Sequence, residues 1–97
     1  MKGQWLRPDG GYIIEIRSVE PSGKMDAAYS NPNPLHVEKA EASRDGGAVK
    51  VVIELRDVNY PGSTYNLAYD AQSDQLVGIY YQAVFRQQFE VVFVRMK

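Results

Sequence analysis

Apolar and polar residues alternate along most of the chain, as they do in β-strands that bury one face. The clearest stretch is 49–56, where Val49, Val51 and Ile53 fall on one face while Lys50 and Glu54 fall on the other. The stretches 12–17 and 64–70 keep the same period of two. No segment sustains the 3.6-residue apolar period of a helix. The pattern predicts an all-β chain.

Turn-forming residues interrupt this alternation about every ten residues. The clusters lie at 8–11, 21–24, 31–34, 44–47, 59–63 and 70–74. Glycine supplies a positive φ and proline presets a turn-compatible φ, so each cluster is typical of a hairpin or tight loop. These clusters, together with the break between the apolar runs 76–84 and 89–95, separate eight predicted strands. In the fourth, 35–42, the alternation changes phase, which indicates a β-bulge at residues 38–39.

Loops this short join antiparallel neighbours, because parallel strands need crossovers of about a dozen residues. We therefore expect a single domain over residues 1–97, in which an eight-stranded antiparallel up-and-down meander closes into a small barrel. Closure pairs the two edges that an open meander leaves exposed. A two-sheet β-sandwich is the alternative arrangement of the same strands.

The first predicted strand begins with Gly3-Gln4-Trp5. A Gly-x-Trp at this position, followed by seven more meander strands, resembles the calycin barrels, which include lipocalins, fatty-acid-binding proteins and avidins. Short loops and the lack of a flanking helix make avidin-like members the nearest likeness. The resemblance implies a barrel in which Trp5 closes one end. It does not extend to a biotin site, because avidins line that site with several tryptophans and Trp5 is the only one here.

Charge and composition argue against several classes of function. Eleven basic and twelve acidic residues give a net charge of −1. They interleave along the chain instead of forming the basic patch that nucleic acid requires. Without cysteine, the chain has no disulfides, thiolate nucleophiles or cysteine-ligated metals. No apolar run approaches the roughly 18 residues of a membrane-spanning helix.

The sequence does not determine the cellular compartment. The first five residues lack the apolar run of a signal peptide. We hypothesise that Met1 replaces a cleaved leader, which the codons upstream in the source gene would test. Cytoplasmic and exported locations are both compatible with a cysteine-free chain.

The sequence does not contain a recognisable set of catalytic or metal-binding residues. The single histidine, His36, lies between apolar neighbours without a serine motif, and one histidine is too few for a zinc site. The aspartates of the later loops lack the spacing of a calcium loop. Two mid-strand glutamates, Glu15 and Glu54, are expected to form cross-strand ion pairs. We therefore predict a non-enzymatic protein without a metal or cofactor.

Tyrosines and loop residues are the candidates for binding. A tyrosine ring combines apolar area with a hydroxyl that needs a partner, and rigid loops lose little entropy on binding. The predicted binding residues are Tyr65, Tyr69, Tyr80 and Tyr81 on the sixth and seventh strands, and Asn31, Asn33, Asp57, Asn59 and Tyr60 in two proline-containing loops. Each set has a structural alternative, since tyrosines also fill barrels and these loop residues also build turns.

The last two strands carry apolar residues at both odd and even positions, which lie on opposite faces of a strand. Only one parity can face into a barrel, so the other predicts an outward apolar patch. The sequence leaves open which parity faces inward, and the predicted patch residues are Val77, Ile79, Val92 and Val94. Such a patch fits a homodimer or another protein partner.

These features predict a binding or protein-interaction module that uses rim loops, a tyrosine-lined mouth or the outer patch. The alternatives are a carrier of a small apolar or aromatic ligand and an enzyme of unidentified type. A carrier needs small inward residues such as Ala27, Ala68 and Gly78 to leave room in its interior. Inward Met25 and Tyr29 would fill that room instead.

Overall fold

The computed structural model describes residues 1–31, 33–57 and 60–96, with the backbone alone described at Tyr60. The described chain is all-β. Its nine strands are β1 (Gly3–Arg7), β2 (Tyr12–Val19), β3 (Met25–Ser30), β4 (Pro34–Leu35), β5 (Val37–Asp45), β6 (Ala48–Asp57), β7 (Tyr60–Asp70), β8 (Gln75–Gln82) and β9 (Gln87–Arg95). Within these ranges, no helix is long and apolar enough to cross a membrane.

All nine strands belong to one antiparallel sheet, in the order β4-β3-β2-β1-β9-β8-β7-β6-β5. Strands that are consecutive in the chain pair with each other, except β4 and β5, and one further pairing joins strands that are far apart in the sequence. β1 pairs with β9 through Trp5 with Arg95 and Leu6 with Val94, which joins the two ends of the meander. The fold is thus a nearly closed barrel made from a single sheet, which confirms the predicted class over the two-sheet alternative.

The strand count is nine rather than eight because the predicted fourth strand breaks at His36. Its first part, β4, pairs with β3, whereas its longer part, β5, pairs with β6. The His36 backbone leaves the ladder between them: its amide donates to Asp57 Oδ2 at 2.9 Å, and its carbonyl accepts from the Arg56 amide at 3.1 Å. The register then shifts between Val37 and Lys39, which confirms the predicted bulge.

The remaining opening in the barrel wall lies between β3 and β5. An isolated Lys24–Glu41 bridge and a 2.7 Å hydrogen bond from the Ala42 amide to the Gly23 carbonyl connect the two strands at one end. A cavity of about 550 Å³ follows this seam over residues 24–27 and 37–41.

Large side chains fill the interior. Trp5, Tyr65 and Phe93 are the largest that are fully buried. The Tyr65 and Phe93 rings meet edge to face, with centroids 5.2 Å apart. Met25 and Tyr29 are also buried, as expected for a filled barrel, while Ala68 pairs with outward-facing Val77 and leaves no internal space.

Candidate functional site

A buried arginine lies at the end of the barrel that carries the β1–β2 turn and the β8–β9 turn, which we call the loop end. Arg7 is the last residue of β1, and its guanidinium carbon lies 4.7 Å from the ring centre of Tyr12 and 5.5 Å from that of Tyr80. Its Nη1 donates to the Tyr65 hydroxyl at 3.0 Å. Its Nε and Nη2 donate to the two carboxylate oxygens of Asp9 at 2.7 and 3.2 Å. The charged group is therefore held on two ring faces and by three hydrogen bonds.

Tyrosine hydroxyls extend this network into the core. Tyr65 and Tyr29 hydroxyls lie 2.9 Å apart, and the Tyr65 ring stacks on Tyr80 with centroids 4.4 Å apart. Burial raises the pKa of Tyr65 to about 12, against the opposing effects of its bonds to Tyr29 and Arg7. Burial acts to lower the pKa of Arg7, but the hydrogen bond to Asp9 and the interaction with Tyr65 outweigh it, so that pKa is raised. At neutral pH a cation contacts a neutral phenol here.

The β8–β9 turn exposes apolar residues beside this cluster. We call residues 83–86 the hairpin tip: Phe85 is 68% exposed and Val84 is also exposed. Arg86 has a φ of 52°, a left-handed conformation that costs energy for any residue with a Cβ. The Ala83 amide donates to the buried Ser63 hydroxyl at 3.2 Å, which ties the tip to β7. The tip is therefore an anchored turn that exposes two apolar side chains.

The opposite end of the barrel is closed by Trp5. Its ring packs edge to face on Tyr69, with centroids 6.0 Å apart, and the Arg95 guanidinium carbon lies 4.4 Å from its centre. Arg95 also donates to the Lys2 carbonyl and to both carboxylate oxygens of Asp74. Hydrogen bonds from Arg95 and then Tyr69 lower the pKa of Asp74. This cluster fastens the first and last strands together.

A shallow cavity of about 700 Å³, lined in part by Met1 and Tyr69, opens at this end of the barrel, and we call it the mouth cavity. Its walls come from the β2–β3 loop, the β5–β6 hairpin and the N-terminal residue, and they are mainly apolar. Met1, Val19, Val49 and Tyr69 contribute side chains to it. Its size is in the range of small-molecule sites, and barrel mouths are common places for them.

The predicted outer patch lies on the solvent side of β8 and β9. Val77 and Val92 face each other across the two strands, and both are exposed. Ile79 and Val94 share their parity and are half-buried. Self-association through this patch stays a prediction.

The structure separates the predicted binding tyrosines. Tyr65 and Tyr80 pair across β7 and β8 inside the core. Tyr69 lies near the mouth cavity, with its hydroxyl donating to Asp74 Oδ1 at 2.7 Å. Tyr81 has the outward parity opposite Thr64. The four rings therefore do not line one cleft.

The predicted loop residues are only partly described. The Asn31 amide donates to the Asn33 carbonyl at 2.9 Å, which is turn chemistry. Asp57 binds the His36 amide and so holds the strand break. Asn59 lies outside the described residues, as does the side chain of Tyr60.

The groups considered for catalysis and metal binding remain scattered. His36 is exposed, with Nε2 3.3 Å from Glu38 Oε2. The expectation of cross-strand partners was wrong for Glu15 and Glu54, which form their ion pairs along the strand, with Arg17 and Arg56 two residues further on. Among the residues that the structure describes, no group of three or more histidine, cysteine, aspartate or glutamate side chains could hold a metal ion.

Two features of the loop end were not identified from the sequence. Arg7 lies two residues after Trp5 and so shares its inward parity, which was the available signal, but an arginine next to a turn is usually exposed. The hairpin tip carries a weak signal, because a turn that contains Val84 and Phe85 but neither glycine nor proline is unusual. The chain matches no family model, and searches of curated proteins and of solved structures find no significant similarity.

Proposed function

We propose that the chain is a non-enzymatic protein-interaction module that binds its partner through the loop end of the barrel. One observation carries the proposal: the hairpin tip presents Phe85, 68% exposed, beside exposed Val84, and Phe89 near the start of β9 is exposed as well. Aromatic side chains dominate the energetics of protein interfaces. A left-handed Arg86 in the same turn adds a local conformational cost that binding would justify.

The shape of the tip favours a protein over a small molecule. A small ligand needs a concave site that surrounds most of its surface. An exposed phenylalanine on a turn suits insertion into a concavity on a partner protein, because aromatic rings contribute strongly to interface energetics. The filled interior, with Trp5, Tyr65 and Phe93 fully buried, further argues against a carrier that holds cargo inside the barrel.

The proposal includes a calycin-like architecture for the barrel. Support comes from Gly3-Gln4-Trp5 on β1 and from the burial of Trp5 between Tyr69 and Arg95 at one end. The role expected of that tryptophan is structural, and its indole Nε1 donates to the Met1 carbonyl at 2.9 Å. The resemblance bears on the scaffold and does not name a ligand.

Site-specific photo-crosslinking tests the proposal. A photoreactive phenylalanine analogue is placed at position 85, and the same analogue at position 77 on the outer patch serves as the control. We expect the position-85 protein to form an adduct with one protein of its own cell extract. The purified partner should then bind the wild-type chain and bind Phe85→Ser at least about tenfold more weakly.

The control separates the loop end from the outer patch. Phe85→Ser should leave the unfolding free energy within about 0.5 kcal/mol of wild type, because the ring is mostly exposed. Adducts at position 77 alone, including adducts with a second copy of this chain, would contradict the proposal and favour the outer patch. Unchanged affinity of Phe85→Ser for the purified partner would also contradict it.

A second candidate function is binding of a small apolar ligand, and the mouth cavity is the observation that favours it. We expect the fluorescent apolar anion 1-anilinonaphthalene-8-sulfonate to bind there and Val19→Asp to reduce this binding at least about tenfold, because a buried carboxylate would have to be desolvated. Val77→Asp is a matched control, since Val77 and Val19 are 41% and 40% exposed. Equal binding by wild type and Val19→Asp would remove the mouth cavity as the site.

A further inference from the structure

Contacts other than its ion pair with Asp9 also orient the Arg7 guanidinium. Tyr12 and Tyr80 contact its guanidinium faces, and the Tyr65 hydroxyl accepts from Nη1. These three residues lie on β2, β8 and β7, so the barrel itself holds the group in place. The Nε and Nη2 edge is left pointing towards the loop that begins at Pro8. A planar fork of two donors is thereby presented at the loop end.

The residue that occupies this fork lies on the surface. Asp9 binds both donors, yet its side chain is 58% exposed, whereas that of Arg7 is 11% exposed. Asp9 is followed by Gly10 and Gly11, and Gly11 has a φ of 70°. The turn is held by amide hydrogen bonds from both glycines to the Arg7 carbonyl, which do not involve the Asp9 side chain. The carboxylate can therefore leave the fork without unfolding the turn.

We propose that Asp9 occupies a carboxylate-recognition site, and that a carboxylate of the partner protein displaces it to bind Nε and Nη2 of Arg7. This inference rests on the proposed function, since it supplies a polar contact beside the apolar hairpin tip. The Tyr80 ring, which lies against Arg7, also stacks on exposed Phe89 of β9, with centroids 6.5 Å apart. The partner segment would thus combine an acidic group with a concave apolar surface.

The geometry selects a carboxylate among anions. Two parallel N–H donors at 2.7 and 3.2 Å from separate oxygens match the planar fork of a carboxylate. The third nitrogen, Nη1, donates to the Tyr65 hydroxyl. An aspartate or glutamate residue and the C-terminal residue of a protein present the same group, so the test distinguishes these two sources.

The test follows the Arg7 Nε–H signal by NMR in ¹⁵N-labelled Asp9→Asn protein. The probes are N-acetyl-glutamate α-amide, which offers a side-chain carboxylate, and N-acetyl-phenylalanine, which offers a terminal one. N-acetyl-glutamine α-amide is the neutral control. We expect one of the two acids to shift this signal saturably in the millimolar range. The wild type should bind the same acid at least about tenfold more weakly, because Asp9 competes.

The outcome does not depend on a variant of buried Arg7, which risks unfolding. If neither acid shifts the Arg7 signal of Asp9→Asn, or if the neutral amide shifts it equally, the carboxylate site is refuted. Equal affinity in wild type and Asp9→Asn would refute the displacement of Asp9. Crosslinking from position 85 is read out separately, so failure here is distinguishable from failure of the proposed function.

Discussion

Replacing Gly78 with alanine is expected to lower the free energy of unfolding by about 3 kcal/mol. A Cβ on Gly78 would overlap the carbonyl oxygen of Asn66 and lie 2.8 Å from the Cα of Leu67. Both atoms belong to the backbone of β7, which is paired with β6 on one side and β8 on the other. The strand cannot move away without breaking a ladder. Chemical denaturation monitored by tryptophan fluorescence measures the loss.

The neighbouring residue provides a matched control for this experiment. Val77→Thr alters the same strand one position earlier, where the side chain is exposed on the outer face. We expect its stability to stay within about 0.5 kcal/mol of wild type. If the two variants lose equal stability, close backbone packing at Gly78 is not the cause.

The same glycine shows how far the sequence could predict the interior. Its apolar neighbours on β8 left open whether Leu76, Gly78 and Tyr80 or the alternate residues face inward. A small residue at 78 indicated a place where the interior widens. In the structure Leu76 and Tyr80 are buried, but the backbone of β7 comes close to Gly78 and occupies that space. The size of a residue determines the space left at its position, and the path of the neighbouring backbone determines which atoms occupy that space.

Local chemistry predicted the strands and turns well because it acts over a few residues. Alternation predicted β2, β6 and β7, and the phase change located the bulge after Val37. The break at His36 could not be predicted in this way. It depends on β4 pairing with β3 while β5 pairs with β6, and on Asp57 binding the freed amide. Such contacts between distant parts of the sequence leave no local pattern.

The candidate site was harder to predict than the fold for the same reason. Tyr65 and Tyr80 were identified as tyrosines on adjacent strands, and their rings do stack. Their role became apparent only with Arg7, which is 58 residues away from Tyr65 in the sequence. The exposure of Phe85 likewise depends on where the turn lies relative to the barrel. A lone phenylalanine in a sequence is equally compatible with core and surface positions.

Alkaline pH is expected to destabilise the barrel through Tyr65. Burial raises its pKa to about 12 in the folded protein, against an ordinary value of 10.0. The unfolded protein therefore releases this proton first, so stability that is fully present below about pH 10 falls as the pH rises towards 12. The loss from this group is about 2 kcal/mol at pH 12. Denaturation curves between pH 8 and pH 12, compared with tyrosinate absorbance, measure it.

The variant Tyr65→Phe separates the effect of Tyr65 titration on stability from the effect of the other tyrosines. At pH 8 the variant should be about 2 kcal/mol less stable than wild type, because Arg7 Nη1 and the Tyr29 hydroxyl both lose a bond to Tyr65. Its stability should then fall less steeply with rising pH, since no proton remains to be lost at this position. Tyr81→Phe, on the outer face, should keep both the wild-type stability and the full alkaline fall. If the stability of Tyr65→Phe and of wild type falls equally between pH 8 and pH 12, the alkaline instability comes from groups other than the Tyr65 hydroxyl, which orients Arg7.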